Sequence, residues 1–379
     1  MTRYTPEHER FRDTVRAFVA KEIAPFVNQW DEAESFPREL YAKAAHIGLL
    51  GLGYPEAYGG VEGDMMMRLI ASEELARAGS GGLLASLFSH NIGLPPIVAQ
   101  GDEAVKNRVL PPVLAGEKIA ALAITEPGGG SDVAAIRTSA RRDGDHFVVD
   151  GEKTFITSGM RADFYTVAVR TGGPGAGGIS LLLIERDTPG FSRTLLDKMG
   201  WWMSDTATLR FDGCRVPAAN LIGEENRGFR AIMDNFNGER LMLAVGAFGF
   251  AQACYEEALE WARNRKTFGE PLIGRQVIRH KLVDMRMRIE STRAWLEDLC
   301  QRIDAGENGS RLVAEIAMAK NHATQAMQWC ADQAVQILGG MGFMRGTRSE
   351  RIYREVKVMM IGGGAEEIMK ELAARQLGF

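Results

Sequence analysis

Ala123-Ile-Thr-Glu-Pro-Gly-Gly-Gly-Ser-Asp132 is the stretch at which this chain changes character. Upstream, Phe11, Val15, Phe18, Val19 and Ile23 recur at three-to-four spacing and Pro25 ends that run. Leu40 to Leu50 repeats the pattern, and both Met65-Met66-Met67 and Leu83 to Val98 read as core. Around and after the quoted stretch come short β-branched and aromatic segments separated by Gly, Pro and Asp: Ala120–Thr125, Phe147–Val149, Phe155–Thr157, Phe164–Val169, Ile179–Ile184 and Thr208–Phe211. The TGGPGAGG run at Thr171–Gly178 reads as a flexible connector between two of these strands. From about Arg227 helices return and are long: Arg240–Arg263, Gln276–Ile303 and Ser310–Leu338 suit an antiparallel bundle. Leu241–Cys254 carries no charge, which predicts a helix enclosed on every side. The expected organisation is α+β and multidomain: an all-α domain over 1–118, a β domain over 119–226 and a helical bundle over 227–379.

Composition sets the outer limits. The 379 residues carry 45 Lys and Arg against 49 Asp and Glu, a formal charge of −4, and are 45% hydrophobic. That mix excludes a disordered chain or a small disulfide scaffold, and at roughly 150 residues per domain the length predicts two or three domains. The acidic balance argues against a broad nonspecific grip on nucleic acid, leaving only local basic patches. The four cysteines, Cys214, Cys254, Cys300 and Cys330, are scattered, with no C-x-x-C and no neighbouring histidine, so reduced thiols and no metal site are expected. MTRYTPEHERFRD is charged from its start and lacks a signal-peptide core, and no apolar run reaches the roughly 18 residues of a membrane span. A cytoplasmic protein without membrane or nucleic-acid partners is expected.

Taken alone, Thr125–Asp132 supports two readings. Three glycines with Ser and Thr can bring backbone N–H groups and hydroxyls against an anion, or can form an ordinary Gly-rich turn. It is not a dinucleotide fingerprint, because no G-x-G-x-x-G lies there between a strand and a helix.

Its companions narrow the choice. Thr125-Glu-Pro-Gly-Gly-Gly-Ser-Asp132 is followed by Gly151-Glu-Lys-Thr-Phe-Ile-Thr-Ser-Gly159, Met199-Gly-Trp-Trp-Met-Ser-Asp-Thr206, Arg263-Asn-Arg-Lys-Thr-Phe-Gly269, Gln336-Ile-Leu-Gly-Gly-Met-Gly-Phe343 and Ile361-Gly-Gly-Gly-Ala-Glu-Glu-Ile368. In order and spacing these segments resemble the acyl-CoA dehydrogenase family, over nearly the whole chain. The resemblance implies an α-helical N-terminal domain, a middle β-barrel or sandwich domain and a C-terminal four-helix bundle, assembled as a homotetramer or homodimer around FAD. It implies that Leu122, Ile124 and Thr125, with Phe155 and Thr157, contact the flavin, and that Gly130 and Ser131 take the pyrophosphate. By the same resemblance Arg265, Thr267, Phe268 and Gln276 reach the FAD of a neighbouring subunit, joined by Gln336, Gly339 and Gly340. Without it Arg265 reads as a solvated helix-end charge. Phe155 stands where many members carry Trp, and Ala365 where many carry Thr, which leaves Glu367 to serve that end of the cofactor.

The chemistry so implied is α,β-desaturation of an acyl-CoA, with electrons passed to an electron-transferring flavoprotein. A carboxylate takes the α-proton while the β-hydrogen leaves as hydride to flavin N5. Gly363 stands at the position of the family's commonest base. A minority branch takes its base from the long helix of the C-terminal domain, and Phe236-Asn-Gly-Glu-Arg-Leu-Met-Leu243 matches that segment, supplying Glu239. At the mouth of an uncharged helix, burial raises a carboxyl pKa and the helix N-terminus lowers it. The plain alternative is a helix-start Glu neutralised by Arg240, and Glu366 and Glu367 are rival bases. Any residue but Pro at 363 offers the N–H that the family uses for the thioester carbonyl. Asn237 and Arg240, with Ser131 and Gly364, are the expected substrate contacts. The expected acyl chain is branched or medium to long. Oxidases and flavin monooxygenases share the fold, as does a nucleic-acid-binding branch, against which the charge and the short tail after the closing loop both argue.

Overall fold

Local sequence signals begin and end the elements of the first region. Thr5 accepts the His8 N–H, and His8 Nδ1 accepts the Thr5 N–H, each at 3.2 Å, a reciprocal cap for helix α1 (Pro6–Phe18). Seven more helices follow: α2 (Val27–Glu32), α3 (Glu39–His46), α4 (Met65–Ala76), α5 (Gly81–Leu87), α6 (His90–Gly93), α7 (Pro95–Gln100) and α8 (Glu103–Leu114). Side chains of Asp64, Ser80 and Asp102 cap α4, α5 and α8. The computed structural model describes residues 4–379; Met1–Arg3, part of the stretch expected to be charged from its start, lie outside the described residues.

One eight-stranded sheet occupies the middle region, built from β1 (Ala120–Ala123), β2 (Ser139–Asp143), β3 (His146–Ile156), β4 (Phe164–Arg170), β5 (Ile179–Glu185), β6 (Phe191–Leu195), β7 (Ala207–Pro217) and β8 (Leu221–Ile222). Its hydrogen-bonded order is β6-β7-β3-β2-β4-β5-β8, and β1 pairs parallel to β4. The two segments expected at Phe147–Val149 and Phe155–Thr157 are one strand, β3. Strand β1 ends at Ala123, so Ile124 and Thr125 belong to the loop that follows it. Strands β4 and β5 are buried on both faces, because helices and loops pack on each side.

The last region contains α9 (Gly228–Asn264), α10 (Gln276–Asp304), α11 (Ser310–Leu338), α12 (Gly340–Phe343), α13 (Arg348–Ile361) and α14 (Glu366–Leu377). Helix α9 starts well before the expected Arg240. Phe229, Ile232, Met233 and Phe236 continue the helical spacing toward the N-terminus, and their stripe packs on the sheet. Farther along, Leu241–Ala262 packs in a second core with α4, α10, α11 and α13. The uncharged span is enclosed as expected, with every residue from Ala244 to Cys254 buried. Gly249 permits this: a Cβ there would lie 2.6 Å from Ala76 Cβ on α4. Residues 237–240 therefore fall at the seam between the sheet's core and the bundle's core. No single described helix is long and apolar enough to cross a membrane.

Candidate functional site

The first group of predicted residues is held together by a buried ion pair. Lys153, fully buried on β3, donates to Glu126 Oε1 at 2.8 Å and to the Ile124 carbonyl at 2.9 Å. Glu126 also accepts the Arg137 and Thr138 N–H groups at 2.7 and 2.8 Å. Burial alone would raise the Glu126 carboxyl pKa, but Lys153 and these N–H groups outweigh it and hold the carboxyl below its ordinary range. Burial lowers Lys153 to about 8 despite Glu126. The Thr154 N–H donates to the Thr125 carbonyl at 2.8 Å, so the Gly-rich loop and the end of β3 lie side by side.

At that junction Phe155 is 70% exposed with φ +60°, where the β3–β7 register shifts between Lys153 and Ile156. The extra residue turns the ring out of the sheet, and a bulky residue in this backbone region marks a functional site more often than a structural one. Thr157 is half-buried and its hydroxyl has no partner among the described residues; the same holds for the Gly130 and Ser131 N–H groups and the exposed Ser131 hydroxyl. Leu122 and Ile124 are buried, so they offer backbone rather than side chain, and the Ile124 carbonyl is already taken by Lys153. An exposed aromatic ring, a glycine loop with free N–H groups and a free hydroxyl fit a flat, phosphate-bearing cofactor.

The second group surrounds Glu239. Because α9 starts at Gly228, Glu239 lies within the helix rather than at its mouth, and the expected pull of the helix N-terminus on its carboxyl does not apply. Its side chain is half-buried and accepts no hydrogen bond among the described residues. Burial raises its pKa to about 7, against the attraction of Arg240 and Lys320. Arg240 does not form an ion pair with it. The Arg240 guanidinium instead donates from Nε to the Gly363 carbonyl at 2.9 Å and from Nη1 to Asn237 Oδ1 at 3.1 Å, and lies over the Phe236 ring.

Gly363 completes this group. It adopts φ +67°, and a Cβ built on it would stand 4.0 Å from Glu239 Oε1 and only 2.7 Å from Leu243 Cδ1. Glu239 and Leu243 thus fill the space a side chain at 363 would need. The Gly363 N–H has no acceptor among the described residues. The Gly364 carbonyl accepts from Lys320 on α11 at 2.8 Å. Glu366 is engaged with Gln325 and Lys370, at 2.8 and 2.7 Å, and Glu367 is exposed on the first turn of α14.

The third group stands apart. Arg265, Phe268 and Gln276 are exposed and Thr267 half-buried, around a two-strand hairpin of Lys266–Thr267 and Glu270–Pro271. Phe268 is 97% exposed at φ +52°, and Arg275 lies over its ring while donating to the Thr267 carbonyl at 3.0 Å. Gln336, Gly339 and Gly340 lie exposed at the end of α11. No hydrogen bond joins these residues to the Phe155 or Glu239 groups among the described residues.

Sequence reasoning missed Lys153, Leu243 and Lys320. Lys153 and Leu243 lie inside quoted motifs, but a pair 27 residues apart such as Lys153 and Glu126 leaves no local pattern. Lys320 is one of two cations, with Arg311, in an Ala-rich helix, and nothing in that pattern marks it as buried.

Comparison with known proteins accounts for this arrangement. Profiles described as the N-terminal, middle and C-terminal domains of acyl-CoA dehydrogenase match residues 5–117, 121–214 and 226–378. The long-chain specific acyl-CoA dehydrogenase of Rattus norvegicus mitochondria is 37% identical, covering 99% of this chain and 87% of its own. A crystal structure of an acyl-CoA dehydrogenase candidate from Mycobacterium smegmatis is 50% identical, covers 99% of each chain and superposes with a TM-score of 0.97. A glutaryl-CoA dehydrogenase from Mycobacterium smegmatis, solved with FADH2, is 27% identical over 99% of this chain and 95% of its own, with a TM-score of 0.92. Matched in all three domains and along its length, the chain belongs to the acyl-CoA dehydrogenase family of FAD-dependent oxidoreductases.

Proposed function

We propose that this protein desaturates an acyl-CoA thioester between Cα and Cβ with Glu239 as the base. The observation that carries the reading is a carboxyl at the seam of two cores, without a hydrogen bond among the described residues, raised to about 7 by burial and set 4.0 Å from the position of a Gly363 Cβ. A base with a pKa near the working pH combines a useful ionised fraction with real proton affinity. The Gly363 N–H, without an acceptor among the described residues, is suited to donate to the thioester carbonyl, and donation there acidifies the α-carbon as negative charge develops on oxygen. Asn237 and Arg240 line the same edge, where Arg240 holds the closing loop through the Gly363 carbonyl and keeps further N–H groups for the CoA portion. We assign the Gly364 backbone and the Ser131 hydroxyl to the substrate as well.

Thr125, Gly130, Ser131, Phe155 and Thr157, with the backbone of Leu122 and Ile124, are the residues we assign to FAD. Bound there, FAD supplies the acceptor for the electron pair and hydrogen that leave Cβ. We assign Arg265, Thr267, Phe268, Gln276, Gln336, Gly339 and Gly340 to the cofactor of a second copy of the chain in a homodimer or homotetramer. Their separation from the Phe155 group and the exposure of Phe268 support that. Glu367 is assigned to the end of FAD that the closing loop meets, where Ala365 offers no hydroxyl. We further read domain boundaries at 118/119 and 226/227, an electron-transferring flavoprotein as acceptor, and a cytoplasmic setting, consistent with four unpaired, buried cysteines. The relative named for long-chain substrates, together with a base carried on the helix, supports a medium-to-long or branched acyl chain. The test is anaerobic titration of the holoenzyme with acyl-CoAs graded in length and branching. Stoichiometric flavin bleaching by a long or branched member is expected, and a flavin that no acyl-CoA bleaches would refute the reading.

A further inference from the structure

The closing loop is gripped by a second buried cation. Lys320, in the middle of α11 and fully buried, donates from Nζ to the Met360 and Gly364 carbonyls at 2.8 Å each. Arg240, from α9, takes the Gly363 carbonyl at 2.9 Å. Between these anchors lie Gly362, Gly363 and Gly364, with φ +67° at Gly363 and +123° at Gly364. Glycines have no side chain to hold them and lose the most conformational freedom on ordering, so this loop depends on its carbonyl contacts for a fixed shape. The Gly363 N–H shares its planar peptide with the Gly362 carbonyl, and because the Met360 carbonyl before it and the Gly363 and Gly364 carbonyls after it are held, only the few torsions between them are left to turn that N–H.

The charges acting on Lys320 are Glu239 and Arg240 from α9 and Glu366 from the first turn of α14; α13 contributes the Met360 carbonyl. The Glu366 carboxylate is engaged by Gln325 and Lys370. Glu239 is therefore the anion near Lys320 that makes no hydrogen bond of its own among the described residues.

We propose that Lys320 is a positioning residue for the reaction: it pins the Met360–Gly364 backbone so that the Gly363 N–H meets the thioester carbonyl, and its charge favours the ionised form of Glu239. This rests on the assignment of Glu239 as base and of Gly363 as carbonyl donor. It also makes the active form of the site doubly charged. Burial, then Arg240, lowers Lys320 to about 8, and burial raises Glu239 to about 7. Activity is then highest between two coupled titrations, one losing the base on the acid side and one losing the clamp on the alkaline side.

The experiment compares wild type, Lys320→Met, Lys320→Gln and Lys320→Arg holoenzymes of equal FAD content. It follows kcat, KM and the pH profile of kcat/KM with whichever acyl-CoA of the graded series bleaches the flavin fastest. Removing a cation destabilises the Glu239 carboxylate, so the acid limb of Lys320→Met is expected to move up by about one pH unit. Its kcat is expected to fall about tenfold or more while KM changes less than threefold, since the loop acts on the reacting centre. Lys320→Gln, uncharged but still a donor, shifts the limb as far with a smaller fall in kcat. Lys320→Arg keeps the acid limb in place and loses the alkaline one, because guanidinium does not titrate there. Wild-type limbs in both Met and Gln variants would overturn the proposal; if Met does not fold, Gln and Arg decide it by the same limbs. Failure of the underlying reading has a separate signature, turnover by Glu239→Gln with Lys320 intact.

Discussion

Phe155 concentrates the site's chemistry and its strain in one residue. An L-residue with a large side chain at φ +60° costs about 1–2 kcal/mol relative to an extended conformation, and here the ring gains no burial in return. The strain places an apolar face where a flat cofactor can cover it. Phe155→Gly should therefore leave the apoprotein as stable or slightly more so in a thermal melt, while FAD affinity, measured by flavin fluorescence, falls about tenfold through lost stacking. Equal loss in the melt and no change in affinity would mean that the ring serves the fold. That an aromatic stands at this position is plain in the sequence. Its positive φ is not, because Phe155–Thr157 reads as plain strand and the bulge depends on pairing with a strand about 50 residues later.

Helix α9 begins at Gly228 rather than at Arg240, and that start decides what acts on Glu239. The long helices α10 and α11 were legible to within a residue, since their ends coincide with Gln276 and with Ser310 and Leu338. The start of α9 was not, because the charged Gly-Glu-Glu-Asn-Arg-Gly segment before it looks like loop and hides the short apolar stripe that docks on the sheet. With the helix extended to Gly228, burial rather than the helix terminus governs Glu239. The packing of α9 against the closing loop also explains Gly363. A methyl there meets Leu243 at 2.7 Å on top of an unfavourable φ, so Gly363→Ala should destabilise by about 1–3 kcal/mol in chemical denaturation. In a Leu243→Ala background the same change should cost measurably less, and additive costs would show that the two residues do not compete for the space.

Across the whole molecule, the three regions meet at one buried carboxyl. Glu355 on α13 accepts the Gly81 N–H of α5 at 2.6 Å and the Trp201 N–H of the middle region at 3.2 Å, beside an Asp31, Arg351 and Arg354 cluster. Burial raises Glu355 to about 7, against the Gly81 N–H and the Arg351 charge. A carboxyl whose folded pKa exceeds its unfolded value near 4.5 binds its proton more tightly in the native state, so its contribution is full below 4.5 and is lost as pH rises through 7. Glu239 contributes with the same sign, so the difference between wild type and Glu355→Gln isolates Glu355. The thermal midpoint of wild type should fall more steeply from pH 5 to 7.5 than that of the variant, and parallel profiles would remove Glu355 from the account. No sequence pattern announces this junction, because its members come from helices and a loop more than 100 residues apart. The order of regions was legible, and the candidate site residues could be named, because each signature is a contiguous run. In the proposed reaction the α-proton of the substrate is taken by a carboxylate of α9 and not by one of the closing loop. Glu239→Gln, loaded with FAD and mixed anaerobically with the acyl-CoA that bleaches wild type, tests this most directly: the account predicts a normal flavin spectrum that the substrate does not bleach, and bleaching at the wild-type rate would contradict it.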